Sequence, residues 1–562
     1  MDDIEKERDI NLRLILRAQE EKKAQLLAQK LGLPYINLLK VPIEVDALSK
    51  VKESKARAGL FLPFELKETK IGIASFNPKD SLLSETIKEL ENKGYQVQVF
   101  VCSLSSLKRG YEEYKKVSKL QEKIIEKIEV SPEKIEEVKN SLTKVEDIKE
   151  RLLQNKKNTT AFLEVLMASA LRFNASDIHI VPQEEIAEIK FRIDGILHEI
   201  ITVDRIFYQS LLSRIKLLSE LKINIHDVAQ DGRFSVKLEG KDVEIRVSVV
   251  PGEYGEDVVM RILDPKMLLS IDDLGFHQWH KEMLLHQIKK TIGMILTCGP
   301  TGSGKTTTLY ACLREIATGK VKILTIEDPI EYHLENVDQT QVEHEKGYDF
   351  AMALRAAMRQ DPDVILVGEI RDSETANTAI QAAQTGHLVF STLHTNDAAG
   401  IVPRLMEMGI NSSAIASSLN LAISQRLLRR ICKNCQTDYP LSEEQKKLIK
   451  KNLQKIPKNI LEKEEVKKIV EPILKGNDFS LKTGKGCQEC FNTGYKGRIG
   501  IYEMFKMTPK IEETINMSPS IFEMKRVMEE EGFPNMQQDA LLRVIEGVTS
   551  LEELERVTGP LE

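Results

Sequence analysis

Gly299-Pro300-Thr301-Gly302-Ser303-Gly304-Lys305-Thr306 matches every fixed position of the phosphate-cradling pattern G-x-x-x-x-G-K-[ST]. The apolar run from Ile292 to Cys298 before it reads as a buried strand. Thr307-Thr308-Leu309-Tyr310-Ala311-Cys312-Leu313 after it reads as a helix. Phosphate binding needs this strand–loop–helix setting. Gly299, Gly302 and Gly304 let the backbone curl until its N–H groups face phosphate oxygens, helped by the helix N-terminus. Lys305 is then expected to reach the β- and γ-phosphates of a nucleoside triphosphate, and the Thr306 hydroxyl to ligate Mg²⁺. Pro300, Thr301, Ser303 and Thr307 complete the cradle. A chance glycine-rich turn is the bland alternative, and a full match in this setting disfavours it.

Around this motif lie 562 residues, too many for one core and enough for three or four domains. Hydrophobic residues make up 41% and charged residues 30%, and a net charge of −6 gives no global attraction to nucleic acid or anionic lipid. No run of about 18 apolar residues occurs, and Met1-Asp2-Asp3-Ile4-Glu5-Lys6 is not a signal peptide. A cytoplasmic protein with no transmembrane segment is expected, any membrane work going through partners. Four of the seven cysteines form two Cys-x-x-Cys pairs, which reads as metal before disulfide.

Six segments follow from texture. Residues 1–106 begin with a helix whose Ala24, Leu27, Ala28 and Leu31 share a face. Gly32 ends it, and the strand-like Tyr35–Leu38, Ile71–Ala74 and Val97–Val101 suggest a small α/β domain. Residues 107–158 are dense in Lys and Glu. Ser131-Pro132-Glu133 looks like a helix start, and Ile135, Val138, Leu142, Val145 and Leu152 recur at heptad-like spacing. A helical connector with a solvated face is favoured over a coiled coil. Residues 159–265 hold an apolar helix, then Asp177–Ile180, then a hairpin turned by Asp194-Gly195, then a second pair, Phe234–Leu238 and Val243–Val249. Residues 266–430 alternate strands and helices, as a P-loop domain with a largely parallel sheet does. Residues 431–498 carry the cysteine pairs, and 499–562 read as amphipathic helices.

Nucleotide cleavage also needs carboxylates for the metal and the attacking water. Two apolar runs end in acids: Ile323–Ile326 in Glu327-Asp328-Pro329-Ile330-Glu331, and Val364–Val367 in Gly368-Glu369-Ile370-Arg371-Asp372. Acids at the C-terminal ends of parallel strands sit where ligands bind in such sheets. Glu369 is expected to activate water, with Glu327, Asp328 and Glu331 as candidates for Mg²⁺ or water contacts. A further run, Thr385-Gly386-His387 through His394-Thr395-Asn396-Asp397, flanks a strand with two histidines. His394 could sense a γ-phosphate, and His387 is the weaker candidate.

Together these four stretches resemble the Walker A, Asp box, Walker B and His box of the type II secretion and type IV pilus ATPases (the GspE and PilB kind). Upstream, Ala175–Ile180, Phe191-Arg192-Ile193-Asp194-Gly195 and Gln230-Asp231-Gly232-Arg233 resemble that family's PAS-like domain. The resemblance runs from about residue 159 to the C-terminus and more weakly over 25–100. It implies an α/β architecture: a RecA-like P-loop motor domain, a PAS-like domain before it, a small N-terminal α/β domain, and a C-terminal zinc-binding and helical region. It also implies a hexameric ring hydrolysing ATP to drive assembly of a type IV pilus or type II pseudopilus, docked on an inner-membrane platform protein, with no direct nucleic-acid contact. In such proteins arginines of the PAS-like domain reach the phosphates when the site closes. Arg233, Arg246 and Arg261 match, each with the alternative of lying on the polar face of a strand.

Cys432-Lys433-Asn434-Cys435 and Cys487-Gln488-Glu489-Cys490 can form a closed Zn²⁺ site, with a redox pair as the alternative. The 51 residues between the pairs exceed the usual ribbon gap, but Leu441–Thr483 reads as a helical insertion. By resemblance, assembly motors carry this insertion and retraction motors lack it, and the ending Thr549–Thr558 looks assembly-like. Some relatives bind cyclic-di-GMP through Arg-Leu-Gly repeats. Here Leu31-Gly32-Leu33-Pro34-Tyr35 remains without the upstream signature, and that ligand is not expected. Other readings are a DNA-uptake motor of the same family, a nucleic-acid translocase, and a non-hydrolysing scaffold. The acidic balance opposes the translocase, and intact Lys305, Thr306 and Glu369 oppose the scaffold.

Overall fold

The structure, a computed structural model, describes residues 17–114 and 145–562, apart from short stretches at 18, 42, 45–46, 49, 68–69, 93, 157, 239–240 and 265–267. It comprises two units, Met1–Glu129 and Val130–Glu562. Among the described residues no helix is long and apolar enough to cross a membrane.

In the first unit a helix over 19–31 buries Ala24 and Ala28 but leaves Leu27 exposed, and Gly32 ends it at a φ of +66°. Strands β1 (Phe61–Lys67), β2 (Lys70–Ser75) and β3 (Gln96–Val101) form one sheet in that order. β1 and β2 pair antiparallel, and β2 and β3 pair parallel through the crossover helix Ser81–Asn92. The sequence reading misses β1, whose Pro63 weakens a strand assignment, and Tyr35 contributes only a single bridge to Val101. The helix Leu104–Tyr111 crosses residue 106 and adds Leu107 and Tyr111 to this core, so the first domain continues past that point. Of the heptad-like positions, Ile135, Val138 and Leu142 lie outside the described residues, as does Ser131-Pro132-Glu133. The helix Val145–Gln154 buries Ile148 and Leu152.

After the helices Val145–Gln154 and Thr159–Arg172, the second unit holds a six-stranded antiparallel sheet: β4 (Asp177–Pro182), β5 (Ile186–Ile193), β6 (Ile196–Asp204), β7 (Gln230–Leu238), β8 (Lys241–Gly252) and β9 (Gly255–Leu263), in the order β6-β5-β4-β9-β8-β7. On β5 alternate residues Ala187, Ile189, Phe191 and Ile193 are buried, the period of a half-covered strand. Asp194 and Gly195 take φ of 50° and 87°, which suits a tight two-residue hairpin turn. The helices Thr159–Arg172 and Arg205–Leu218 bury their apolar faces.

The P-loop domain is built on a seven-stranded sheet in the order β12-β11-β13-β14-β10-β15-β18. Its strands are β10 (Gly293–Cys298), β11 (Ile323–Glu327), β12 (Asp338–Gln341), β13 (Val364–Val367), β14 (Leu388–Leu393), β15 (Leu419–Ile431) and β18 (Tyr495–Lys506). All neighbours are parallel except β15 and β18. The C-terminal ends of β10, β11, β13 and β14 therefore share one edge, the usual ligand edge of such sheets. The sequence reads 499–562 as helical, yet β18 reaches into it. Ile499, Ile501, Tyr502, Met504 and Phe505 are all buried, so no period of two marks the strand. The short strands β16 (Gln436–Tyr439) and β17 (Leu481–Gly484) form the stem of the insertion between β15 and β18, with three helices at its tip.

One buried polar network ties the C-terminal helix Met536–Ile545 to the segment before β10. Asp539 Oδ2 accepts from Tyr502 N at 2.9 Å, and Oδ1 lies 3.3 Å from His277 Nε2 and 3.6 Å from His280 Nδ1. Burial, reinforced by Arg543, pulls His277 to about 2 and His280 to about 3, and burial pushes Asp539 up to about 7. In the unfolded chain the histidines protonate below about 6.5 and the aspartate ionises above about 3.9. Between those values unfolding binds two protons and releases one. Stability should therefore fall as pH falls, by about 1.4 kcal/mol per pH unit from this network. Asp539→Asn removes the opposing proton and should roughly double that slope in denaturant titrations across the same window. An unchanged slope would contradict these protonation states.

Candidate active site

The P-loop begins where β10 ends. Gly299, Gly302 and Gly304 all have positive φ (137°, 77° and 91°). A Cβ on Gly299 would come within 2.5 Å of the Gln425 carbonyl oxygen, and one on Gly304 within 2.7 Å of the Gln425 side-chain nitrogen. Gln425 is buried on β15, beside β10, and its Oε1 accepts from Thr308 Oγ1 at 2.7 Å, so it forms the floor of the loop. Gly304 caps the helix Lys305–Ile316 without a side-chain bond, leaving its first amides open to an anion. Ser303 Oγ is buried with no partner among the described residues. Lys305 Nζ donates to the carbonyls of Gly299 at 2.7 Å and Pro300 at 3.1 Å. Burial draws Lys305 below the usual lysine range, and the charge of Glu369 opposes that shift. Thr306 is exposed, so its hydroxyl is open to a cation. Orphaned donors around a glycine cradle fit a phosphate chain.

Glu369 follows β13 and is held from two sides. Its Oε1 accepts from Arg371 Nη2 at 2.5 Å, and its Oε2 lies 3.4 Å from His394 Nε2, at the end of β14. Its side chain is 14% exposed, whereas that of His394 is 58% exposed. A carboxylate so oriented on the ligand edge can position or deprotonate a water.

The other acids differ in situation. Glu327 is buried: Oε2 accepts from the Tyr310 hydroxyl, and Oε1 accepts from Thr325 Oγ1 at 2.5 Å and Gln339 Nε2 at 3.1 Å. Its oxygens thus brace β11 against β12 and the P-loop helix. Asp328 Oδ2 faces His344 Nε2 at 3.4 Å. Glu331 Oε2 accepts from Arg246 Nη1 at 3.1 Å, and Arg246 also donates to the Ile330 carbonyl. His387 sits before β14 and His394 after it, seven residues or about 23 Å apart along the strand. His387 Nδ1 lies 2.9 Å from the Ala382 carbonyl, at the end of the sheet away from the P-loop. Within one chain the structure does not bring it to this site.

Arg233, Arg246 and Arg261 stand directly opposite one another on β7, β8 and β9, and the row continues through Asp177 on β4 to Arg192 on β5. Like charges directly opposite destabilise a sheet, so this rung is costly unless an anion answers it. Asp177 answers part of it: Oδ1 lies 3.0 Å from Arg261 Nε and Oδ2 3.4 Å from Arg192 Nε. Arg246 spans to the Glu331 loop, and Arg233 is 75% exposed with only a 3.8 Å approach to Glu244. Sequence reasoning missed Gln425, Arg371, Asp177 and Arg192 as contributors. For Gln425 the available signal was the polar cluster Ser424-Gln425-Arg426 interrupting the strand-like Leu419–Leu428.

The four cysteines converge. Cys432 Sγ is 3.8 Å from Cys487 Sγ, Cys435 Sγ 3.8 Å from Cys490 Sγ, Cys487 Sγ 3.7 Å from Cys490 Sγ, and all four lie within 4.8 Å of one another. Tetrahedral Zn–S bonds of about 2.3 Å require sulfur separations of about 3.8 Å, so the thiols fit that metal. The amides of Cys487 and Gly494 donate to Cys490 Sγ at 3.2 and 3.3 Å. Gly484 and Gly494 let the two ends of the Cys487–Cys490 knuckle close on each other: a Cβ on Gly484 would fall 2.0 Å from the Gly494 carbonyl oxygen.

Sequence comparison meets this geometry. The profile described as Type II/IV secretion system protein matches residues 153–556, and that of the MshEN domain matches residues 31–119. The type IV pilus assembly ATPase PilB of Myxococcus xanthus is 34% identical over 553 residues, covering 96% of this chain and 92% of that one. PilB of Acinetobacter baylyi is 42% identical over 409 residues (72% and 67%), and the type II secretion system protein E of Aeromonas hydrophila is 41% identical over 397 (70% and 75%). The Yersinia pseudotuberculosis ATPase DotB shares the fold, with a TM-score of 0.51 at 20% identity over 71% of this chain and 93% of that one. The phosphate cradle, the braced Glu369 and these matches place the chain in the Type II/IV secretion system protein family, as one of its ATPases.

Proposed function

We propose that this ATPase works as a homo-hexameric ring that powers assembly of a type IV pilus or a type II secretion pseudopilus, at the inner membrane, through a polytopic platform protein. The observation that carries the chemistry is Glu369, held between Arg371 and His394 at the edge where the P-loop opens. In this reading Lys305 and the amides after Gly304 hold the β- and γ-phosphates, and Thr306 holds Mg²⁺. The cation supplies neutralisation of charge on the transferring phosphoryl. Glu369 positions the attacking water, and His394, beside that carboxylate, senses the γ-phosphate. Arg233, Arg246 and Arg261 supply guanidinium groups to the phosphates once the six-stranded domain closes. Cys432, Cys435, Cys487 and Cys490 hold a structural Zn²⁺.

The similarity to PilB over 96% of the chain supports assembly as the mechanical output. A ring makes turnover cooperative in protein concentration. Specific ATPase activity should rise with concentration in step with a species of six chains in native mass spectrometry. Equal activity per chain from a species that stays monomeric would rule out the ring. Stimulation by DNA with a steep salt dependence would move the reading toward a translocase.

A further inference from the structure

Phe491, directly after Cys490, is an aromatic residue at a φ of 52°, and Asn492 follows at 59°. Left-handed backbone costs a residue with a Cβ about 1–2 kcal/mol, so a large side chain kept there calls for a use. Its ring meets Phe173 edge-on, with centroids 4.6 Å apart at 73°, and lies 6.2 Å from His198. Beside it, Asp194 at the β5–β6 hairpin tip accepts from Gly497 N at 2.7 Å. One edge of the six-stranded sheet thus rests on the cysteine knuckle. Near the other edge, β8 carries Arg246 to Glu331. Between these supports runs the rung Arg192–Asp177–Arg261–Arg246, three strand spacings or about 14 Å long. The knuckle support joins an aromatic contact to a hydrogen bond, whereas the Glu331 contact is an ion pair that a phosphate could replace.

We propose that Phe491 is a positioning residue for ATP hydrolysis: seated on the knuckle, it fixes the pivot about which the sheet brings Arg246 to the nucleotide. The proposal rests on the ATP-site reading above. Arg246 exchanges Glu331 for phosphate while the Phe491–Phe173 contact stays closed, so the sheet turns as a lever instead of drifting.

Full-length, metal-loaded Phe491→Ala should lose about 10- to 100-fold in kcat with a smaller change in KM, since a misplaced catalytic group costs that much. Phe491→Tyr should restore the rate, because the edge-on contact survives. Phe173→Ala removes the same contact from outside the knuckle and should behave alike even if Phe491→Ala folds poorly. Adding Arg246→Ala to either variant should cost little more than Arg246→Ala alone. Thiol-independent spin labels at Ile206 and Met517, both exposed, should give a narrow distance distribution in the wild type and a broad one in both variants. Wild-type kcat in Phe491→Ala and Phe173→Ala beside an impaired Arg246→Ala would overturn the proposal, as would additive losses. A fully active Arg246→Ala would instead sink the arginine reading beneath it. In that case the pivot proposal falls with it.

Discussion

Glu369→Gln should bind ATP and fail to turn it over, with kcat lower by about 10²–10⁴, the usual contribution of a positioned general base or water-orienting group. The amide is isosteric, so Arg371 Nη2 keeps an acceptor at the place where it now bonds Oε1 at 2.5 Å. What is lost is the negative charge facing His394 and the capacity to take a proton. Lys305, Ser303 and the amides after Gly304 are untouched, so nucleotide affinity should stay within a few-fold and ATP should remain trapped, uncleaved, in filter binding. His394 lies 3.4 Å from the same carboxylate and is more exposed, so His394→Asn should cost less than Glu369→Gln. Turnover within tenfold of the wild type in Glu369→Gln would remove this residue from the chemistry.

That prediction could be written from sequence because a phosphate cradle is local. Three glycines, a lysine and a threonine at fixed spacing specify backbone angles that no distant element must supply, and the acid after an apolar run marks the end of a parallel strand. The same locality located the two cysteine knuckles and the Asp194-Gly195 turn. It could not show what a side chain meets across the fold. Glu327 looks as available as Asp328 in a string of letters. Folding surrounds it with Tyr310, Thr325 and Gln339 from the P-loop helix, its own strand and β12, and its oxygens are spent on them. His387 is a different case. It precedes a six-residue strand that His394 follows, so strand rise alone sets them at opposite ends, and that inference was open from the start. The arginine rung was half legible. The sequence offers Arg233, Arg246 and Arg261 singly, but their alignment depends on the register of β7, β8 and β9, and the sequence reading misses β9. β18 stayed hidden because a strand buried on both faces loses its alternation.

Removing the metal should unmake the knuckle and spare the nucleotide cradle. The thiols stand 3.7–3.8 Å apart, too far for disulfides with S–S bonds of about 2.05 Å and right for four thiolates on one Zn²⁺. Four thiolates this close repel one another unless a cation holds them. Structural zinc sites contribute about 10–16 kcal/mol of binding free energy, which is also local folding free energy. Wild-type protein should therefore yield one zinc per chain on mercurial titration. Cys487→Ser should retain none and should expose residues 432–436 and 484–494 to rapid hydrogen exchange. The insertion leaves and re-enters through the paired strands β15 and β18, whose register runs from Leu421–Lys506 to Ile431–Tyr495. Those strands are zipped by their own ladder, and the salt bridge from Arg429 to buried Glu553 anchors β15 to the helix Leu551–Thr558. Gln425, on β15, should accordingly stay in place under the P-loop, and ATP should still bind. Loss of nucleotide binding together with the metal would mean that the sheet depends on the knuckle for its register, and the independence of the nucleotide cradle from the knuckle would fail.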